Sequence, residues 1–361
     1  MNICRLAAAC ITTFALVSTT AAHAAAQKAD FAGQRVEIIV PFAPGGGSDV
    51  YARAIAPYLE KYLPGNPAIV IRNVPGGGAV VGANQFQARA KPDGLHAIVS
   101  GVSNLASSLF EKSKVQFQID KWEPILLSPQ GVMVYASSSL GAKGPQDLAK
   151  LKGQKLVYGG ANPKGADARV ILSLALLGLE PKYVWGSARG PVRLAFERGE
   201  FNINYDTAPG YLKNASQLVK AGKAVPLYSL GIFDASGNVV RDPNFAEVPT
   251  FPEAYAMVHG KPPSGPGFEA WKALAQMGVM ASKVLFLPAG TPPHIVEAWR
   301  NAARTMLKDP DFQQKAAAVI EGYPQSVGEE ARPVIREATS ISPTVMEWLR
   351  TYYKTQHDLA F

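Results

Sequence analysis

The 361-residue chain contains only two cysteines, and both, Cys4 and Cys10, lie among its first ten residues. If that stretch is removed, the mature chain has no thiol, which excludes disulfides, cysteine-ligated metals and a cysteine nucleophile. Charged residues are also few, at 18%, against 47% hydrophobic residues. This balance excludes a disordered polyelectrolyte and a multi-span membrane protein, and the length predicts two domains.

The N-terminus is typical of an export signal. Arg5 precedes the uncharged run LAAACITTFALVSTTAA and then the small residues AHAAAQ. The run is rich in hydroxyl residues and shorter than the roughly 20 apolar residues of a membrane span, which argues against an anchor. We predict a signal peptide over residues 1–24, cleaved after Ala24 or Ala26, and a periplasmic location.

No dense basic block accompanies the formal net charge of +8. Lysines and arginines are scattered singly, without the aromatic platform that nucleic acids need, so we predict no nucleic-acid partner. A dispersed positive field can raise the local concentration of small anions, or it can simply keep the protein soluble. Charge alone leaves both possibilities open.

Strand-like and helix-like segments alternate along the chain. VEIIVPF (residues 36–42) and AIVIRNV (residues 68–74) are β-rich runs, each followed by a glycine loop and an apolar pattern at helical spacing. This alternation predicts an α/β fold with largely parallel sheets, and from about residue 292 a helical C-terminal segment. Pro57 lies inside the first helix pattern, where it predicts a kink.

The two glycine loops are the sharpest local signal. PGGGSD (residues 44–49) and PGGGAV (residues 75–80) each stand between a strand and a helix start, where backbone N–H groups can face an anion. One such loop is usually a plain turn, but two in consecutive units indicate an anion site, which could hold a carboxylate. Phosphate is the rival anion, although neither loop carries a Walker A lysine or GxGxxG. We interpret Ser48 and Asp49 as helix caps, with Ser48 also free to contact a ligand.

The ordered motifs VPFAPGGGSDVYAR, NVPGGGAVVGAN and AKPDG resemble those of the Bug-type receptors, the solute-binding receptors of tripartite tricarboxylate transporters. The similarity continues through KLVYGGANPKG, VWGSARG, FNINYDT, EVPTFPEA and LPAGTPPHIVEAW. It implies a two-lobed periplasmic binding protein fold of type II, with discontinuous lobes joined by two hinge crossings. We place the crossings near residues 126–129 and 228–231. The first lobe is then 27–127 with 231–361, and the second is 128–230.

The resemblance also implies the site, in which the first two loops grip a carboxylate through backbone amides and ordered water. The matching positions of the first lobe are Phe42, Pro44, Gly45, Gly46, Gly47, Ser48, Gly76, Gly77, Gly78, Ala79, Ser103 and Asn104. Those of the second lobe, which selects the rest of the ligand, are Gly160, Ala161, Asn162, Gly165, Ala166, Trp185, Ser187, Tyr205, Asp206 and Thr207.

The sequence departs from the family pattern at three places. Asp167 and Ala168 stand where many relatives have a histidine, VWGS at 184–187 replaces a Pro-Tyr-Lys-Gly stretch, and the segment 259–278 is not typical. These departures leave the ligand's identity open.

Three side chains near the second-lobe motifs have two interpretations each. Trp185 could pack in the core or stack on the ligand, and Asp206 could bind a ligand donor or cap a turn. We interpret Arg189 as a surface charge, with pairing to a second ligand carboxylate as the alternative.

The sequence therefore predicts a monomeric, non-catalytic receptor that captures a small organic carboxylate and docks on a membrane permease, without cofactor or metal. None of the histidines has a partner at metal-ligand spacing, and no GxSxG elbow is present. Two alternatives remain, a ligand sensor that serves a signalling receptor and a secreted hydrolase that uses carboxylates.

Overall fold

The computed structural model describes residues 28–234, 236–320 and 322–360. The predicted signal peptide, its cleavage site and both cysteines lie outside these ranges. Within them, no helix combines the length and the apolar character that crossing a membrane requires.

Strands and helices alternate through most of the chain. The strands are β1 Arg35–Val40, β2 Ala68–Asn73, β3 His96–Gly101, β4 Glu123–Ser128, β5 Val132–Ser137, β6 Val157–Gly159, β7 Lys182–Val184, β8 Ile203–Thr207, β9 Ala224–Ser229, β10 Ile232–Phe233, β11 Val239–Val240, β12 Lys283–Leu287 and β13 Ser326–Val327. The helices are α1 Gly47–Tyr62, α2 Val80–Arg89, α3 Val102–Phe110, α4 Ala168–Leu176, α5 Arg189–Glu197, α6 Ala208–Gly210, α7 Ser216–Lys220, α8 Phe251–His259, α9 Pro266–Met280, α10 Pro293–Lys308, α11 Pro310–Lys315, α12 Ala331–Ala338 and α13 Pro343–His357.

The strands form two larger sheets and a short antiparallel ribbon of β10 and β11. The first sheet has the order β13-β4-β12-β3-β1-β2, and the second has the order β7-β6-β8-β5-β9. In the first, β1 runs parallel to β2 and β3, whereas β12 runs antiparallel to β3 and β4. In the second, β6 runs parallel to β7 and β8, whereas β5 runs antiparallel to β8 and β9.

The α/β class is confirmed, but the prediction of largely parallel sheets is wrong, because both sheets are mixed. The antiparallel pairs come from strands that arrive from distant parts of the chain, as β12 does between β3 and β4. A strand's own residues do not encode its direction relative to a neighbour. The alternation of strands with helices therefore predicted the strand–loop–helix units whose strands pair in parallel. It did not predict the strands that return to each sheet in the opposite direction.

Helices cover both faces of the first sheet. Tyr51 and Leu59 of α1 pack with Trp299 of α10 on one face, while Phe86 of α2 and Leu105 of α3 belong to the core on the other face. Each helix buries one apolar stripe, as a helix flanking a sheet must. The first helix continues through its internal proline to Tyr62.

The chain passes between the sheets at more than one point. It leaves the first sheet after Ser128 and enters the second at Val132. Helices α8 and α9 then contact β9 and α4 of the second sheet before the chain rejoins the first sheet at Lys283. The C-terminal helix returns to the second side, where the Tyr353 hydroxyl donates to the carbonyl of Pro163 at 2.7 Å. The residue boundaries of the two lobes stay a prediction.

Gly131 lies on the first passage between the sheets, and we expect Gly131→Ala to destabilise the protein. A Cβ there would overlap the carboxylate of Asp242 and the hydroxyl of Tyr323, which hydrogen-bond each other at 2.6 Å. Overpacking of this kind costs about 1–3 kcal/mol of unfolding free energy. Urea unfolding measures the change, with Gly190→Ala, where a Cβ meets open space, as the control. Equal stability of the two variants would contradict this account.

Candidate functional site

Three helix N-termini meet at one edge of the first sheet. Adjacent parallel strands end at the same edge, so the loops after β1, β2 and β3 lie side by side and lead into α1, α2 and α3. Helix α1 lies on one face of the sheet and α2 and α3 lie on the other. Ligands of α/β proteins bind at crevices of this kind, where the connections diverge to opposite faces. The edge also concentrates the unpaired N–H groups of the helix starts.

A carboxylate braces the first glycine loop. The Gly45 N–H and the Asn73 side chain donate to Asp49 at 2.8 and 2.9 Å, and Arg53 donates to both of its oxygens. Burial raises the pKa of Asp49, but these hydrogen bonds lower it by more, so the carboxylate stays ionised. The residue preceding α1 is Gly46, without a side-chain cap. The prediction that Asp49 caps the helix is therefore wrong, because its oxygens hold the loop instead.

A buried amide braces the second glycine loop. Gly76, Gly77 and Gly78 all have positive φ, at 131°, 55° and 66°, so this loop conformation favours glycine. The Asn104 side chain donates to the carbonyl of Ala79 at 2.9 Å and accepts from the N–H of Gly101 at 3.2 Å. Because these bonds use both ends of the amide, Asn104 positions the loop and does not face the crevice.

The loop after β6 has its own brace in Asp167, one of the residues that depart from the family pattern. Its carboxylate accepts from the N–H groups of Ala161 and Asn162 at 3.1 and 3.3 Å, and from the Tyr158 hydroxyl at 2.6 Å. The Arg189 guanidinium lies 3.3 Å from the same carboxylate. The aspartate thus fixes the second-lobe glycine loop from behind.

The interpretation of Arg189 as a surface charge is wrong. Its side chain donates to the Gly159 carbonyl at 2.6 Å and to Asn204 at 2.9 Å, and it lies 4.3 Å from the ring centre of Tyr205. Its sequence position at a helix start gave no hint of this burial. The partners lie on β6 and β8, which only the tertiary fold brings beside it.

Two other predicted residues are engaged within the protein. The Asp206 carboxylate accepts from Arg193 and from the Tyr135 hydroxyl. Trp185 stacks on Tyr183, with ring centres 5.4 Å apart. These contacts support the packing interpretation of Trp185 and a structural role for Asp206.

The loops of the two sheets approach one another at three points. A methyl group placed on Gly47 would lie 3.8 Å from the Thr207 hydroxyl, and one on Gly165 would lie 3.2 Å from the Ser103 hydroxyl. A methyl group on Gly78 would lie 2.9 Å from the amide nitrogen of Asn162. These contacts bring predicted residues of both lobes together. Their contact with a ligand stays a prediction.

The remaining predicted residues lie around these contacts. Phe42 packs against Gly101 beside Ser48, Pro44 and Gly45 are exposed at the crevice rim, and Gly160 lies under Trp185. Ala166 and Ser187 are partly buried within the second-lobe loops. The predicted set therefore divides into residues at the crevice and residues behind it.

Sequence reasoning missed two buried cations at this place. Arg169 of α4 is 2% exposed, and Lys283 of β12 is 5% exposed. A methyl group on Gly47 would lie 4.0 Å from Cε of Lys283, which places that lysine beside the first glycine loop. Burial and the neighbouring charge of Arg169 lower the pKa of Lys283 from 10.5 to about 7. Arg169 lies in the apolar run ARVILSLAL, whose only local signal is one charge in a core helix.

The chain is similar to curated proteins along most of its length, although no protein-family model matches it. It is 27% identical over 311 residues to a UPF0065 protein from the tcbD-tcbE intergenic region of Pseudomonas sp. (strain P51), covering 82% of this chain and 81% of the relative. It is 36% identical over 104 residues to protein BugT of Bordetella pertussis, covering 28% of this chain and 30% of that one. These relatives confirm the predicted resemblance to the Bug-type receptors.

Solved structures share the fold. The periplasmic binding protein BugD matches with a TM-score of 0.66 and 19% identity, covering 89% of this chain and 97% of its own. Rpa4515 of R. palustris, solved with adipate, matches with a TM-score of 0.66 and 19% identity, covering 90% and 98%. The predicted two-lobed periplasmic binding protein fold is thereby confirmed.

The titration of Lys283 predicts that the ligand-free protein becomes more stable as pH rises. Its pKa of about 7 in the folded protein lies below its ordinary 10.5, so between these values the unfolded chain holds one more proton. The free energy of unfolding then increases with pH across this window. Urea unfolding near each end of the window measures the gain, which we expect to be larger in the wild type than in Lys283→Met. Equal gains would show that Lys283 keeps its ordinary pKa.

Proposed function

We propose that this chain, a relative of the Bug-type receptors, is an extracytoplasmic solute-binding protein that captures a small organic carboxylate between two lobes for uptake by a tripartite tricarboxylate-type transporter. The observation that carries the proposal is that the glycine-rich loops at the edge of the first sheet lie against loops at the edge of the second sheet, close to the start of α1. A ligand held there contacts both sheets at once. Its binding energy therefore stabilises the closed arrangement over an open one.

The chemistry of the first edge favours a carboxylate. Helix α1 begins at Gly47 without a side-chain cap, so its first N–H groups are available to a ligand oxygen. A helix N-terminus contributes about 0.3–1 kcal/mol toward a nearby anion, and each hydrogen bond to a charged group about 1.5–3 kcal/mol. The braces Asp49 and Asn104 fix the loops beforehand, which lowers the ordering cost of binding. The adipate in the R. palustris structure is a small organic carboxylate.

The cellular setting follows from the same family resemblance. We propose that the predicted signal peptide delivers the chain to the periplasm, where BugD, by its description, also acts. There the closed receptor would dock as a monomer on the membrane subunits of the transporter. BugD and a TctC protein from Polaromonas are described as binding proteins, which supports capture without catalysis.

A thermal-shift screen of refolded, ligand-stripped mature protein tests the proposed function. The panel contains dicarboxylates, monocarboxylates and amino acids, with inorganic phosphate and neutral sugars as controls. A ligand at about 100 times its Kd adds about 2.7 kcal/mol to the free energy of unfolding, which raises Tm by a few degrees. We expect a shift with one class of carboxylate. A shift with sugars alone, or with no compound, would refute carboxylate capture.

We expect Gly47→Leu to weaken carboxylate binding by about 100-fold or more, because its side chain would enter the space between the first loop and Thr207. The ligand-free fold should persist, since Gly47 is exposed and does not need the left-handed conformation. Calorimetric titration with the best carboxylate of the screen measures the loss. Gln217→Leu, at an exposed position of α7, is the control. Equal affinities of both variants would exclude this loop from the site.

A further inference from the structure

Arg169 and Lys283 are buried cations without an acidic partner among the described residues. Two nitrogens of the Arg169 guanidinium, Nε and Nη1, are buried and have no hydrogen-bond partner. Within the part of the chain that the structure describes, the Lys283 ammonium donates only to the carbonyl and hydroxyl of Ser282, at 3.1 and 3.2 Å. Neither cation forms an ion pair within the described ranges. A buried charge normally has a partner of opposite sign, because its hydration is lost.

The acids of the neighbourhood are already engaged with other cations. Asp206 binds Arg193, Asp167 lies against Arg189, and Asp49 binds Arg53. Their ion pairs and hydrogen bonds hold them in place. Asp167 still attracts Arg169 from a distance, but neither Arg169 nor Lys283 has an ion-pair partner of its own among the described residues.

The packing around Arg169 leaves space for a long side chain. It starts at the first turn of α4 and passes Gly278 of α9, where any Cβ would collide with its guanidinium. Helix α9 is part of the segment that departs from the family pattern, and its glycine leaves the space that the arginine occupies. The guanidinium also lies 6.0 Å from the ring centre of Tyr205, one of the predicted ligand positions.

The two cations come from opposite sides of the crevice. Lys283 begins β12 of the first sheet, beside the start of α1, whereas Arg169 belongs to a helix of the second sheet. Closing the crevice without an anion brings two like charges together out of water. Closing it over an anion gives each charge its missing partner.

We propose that Arg169 and Lys283 form a split anion-binding pair that makes closure depend on a doubly charged ligand, and that the ligand is therefore a dicarboxylate. This inference rests on the proposed function and narrows its substrate class. Two uncompensated cations are balanced by two carboxylates, whereas a monocarboxylate leaves one positive charge buried without a partner. A dicarboxylate accordingly closes the receptor and a monocarboxylate of the same length does so poorly.

Calorimetric titrations test the role of the two cations with two sets of acids of equal length, adipate against hexanoate and succinate against butyrate. We expect the wild type to bind the diacid of at least one pair about 100-fold more tightly than its monoacid. In Arg169→Met and Lys283→Met, we expect this preference to fall at least about tenfold. Arg169→Lys and Lys283→Arg should retain part of it, because they keep the charge. Lys220→Met and Arg336→Met, which remove exposed charges, should leave it unchanged.

Thermal unfolding separates this inference from the proposed function. We expect the two methionine variants to fold, with a ligand-free Tm at or above that of the wild type, because each removes an unpaired buried charge. Sulfate, a small inorganic dianion, should raise the Tm of the wild type more than that of either variant.

The outcomes discriminate between the two ideas. A diacid preference that survives in both methionine variants, or equal binding of diacid and monoacid by the wild type, overturns the anion pair and leaves carboxylate capture intact. Sulfate stabilisation that requires both cations, without binding of any carboxylate, supports an anion-binding pair but overturns carboxylate capture and with it the dicarboxylate ligand. If neither sulfate nor any acid binds the wild type, both ideas fall.

Discussion

The ends of parallel strands are the constraint on which the rest of this structure depends. Since β1, β2 and β3 run in one direction, their loops must leave the sheet at the same edge, and three helices must begin there. The strands β6, β7 and β8 impose the same arrangement on the second sheet. Two edges rich in unpaired N–H groups therefore face each other. Antiparallel strands fill out each sheet without disturbing that edge.

Glycine-rich loops leave their backbone N–H groups accessible but are less rigid than other loops. Side chains that hydrogen-bond to them from the protein interior restore the rigidity. Asp49 and Asn104 serve the first sheet in this way, and Asp167 serves the second. All three are buried polar groups whose partners include loop N–H or carbonyl groups. The backbone of these loops therefore faces the crevice, while the carboxylate and amide side chains hold the loops from the protein interior. It explains why several positions matched by family resemblance are engaged in internal bonds.

The sequence allowed prediction of features that are local in the chain. Strand, glycines and helix follow one another within a few residues, so the units that carry both loops could be identified. Strand direction could not, because β12 joins β3 and β4 through tertiary pairing alone. Arg169 and Lys283 escaped notice for a related reason: each is a single charge in an apolar element. What distinguishes them is that the acids near them are paired with other cations, and that is a property of the folded neighbourhood.

Helix α9 has a consequence for how this protein can diverge from its relatives. The helix rests on α4, ends directly before β12, and also contacts α12 and α13. This one segment thus provides the space for the Arg169 side chain at Gly278 and leads directly into Lys283. It also packs against the C-terminal helices. Changes in a single stretch of sequence can retune selectivity while the glycine loops stay as they are. In such an architecture, substitutions in one helix can change which solute is bound while the sequence of the glycine loops stays the same.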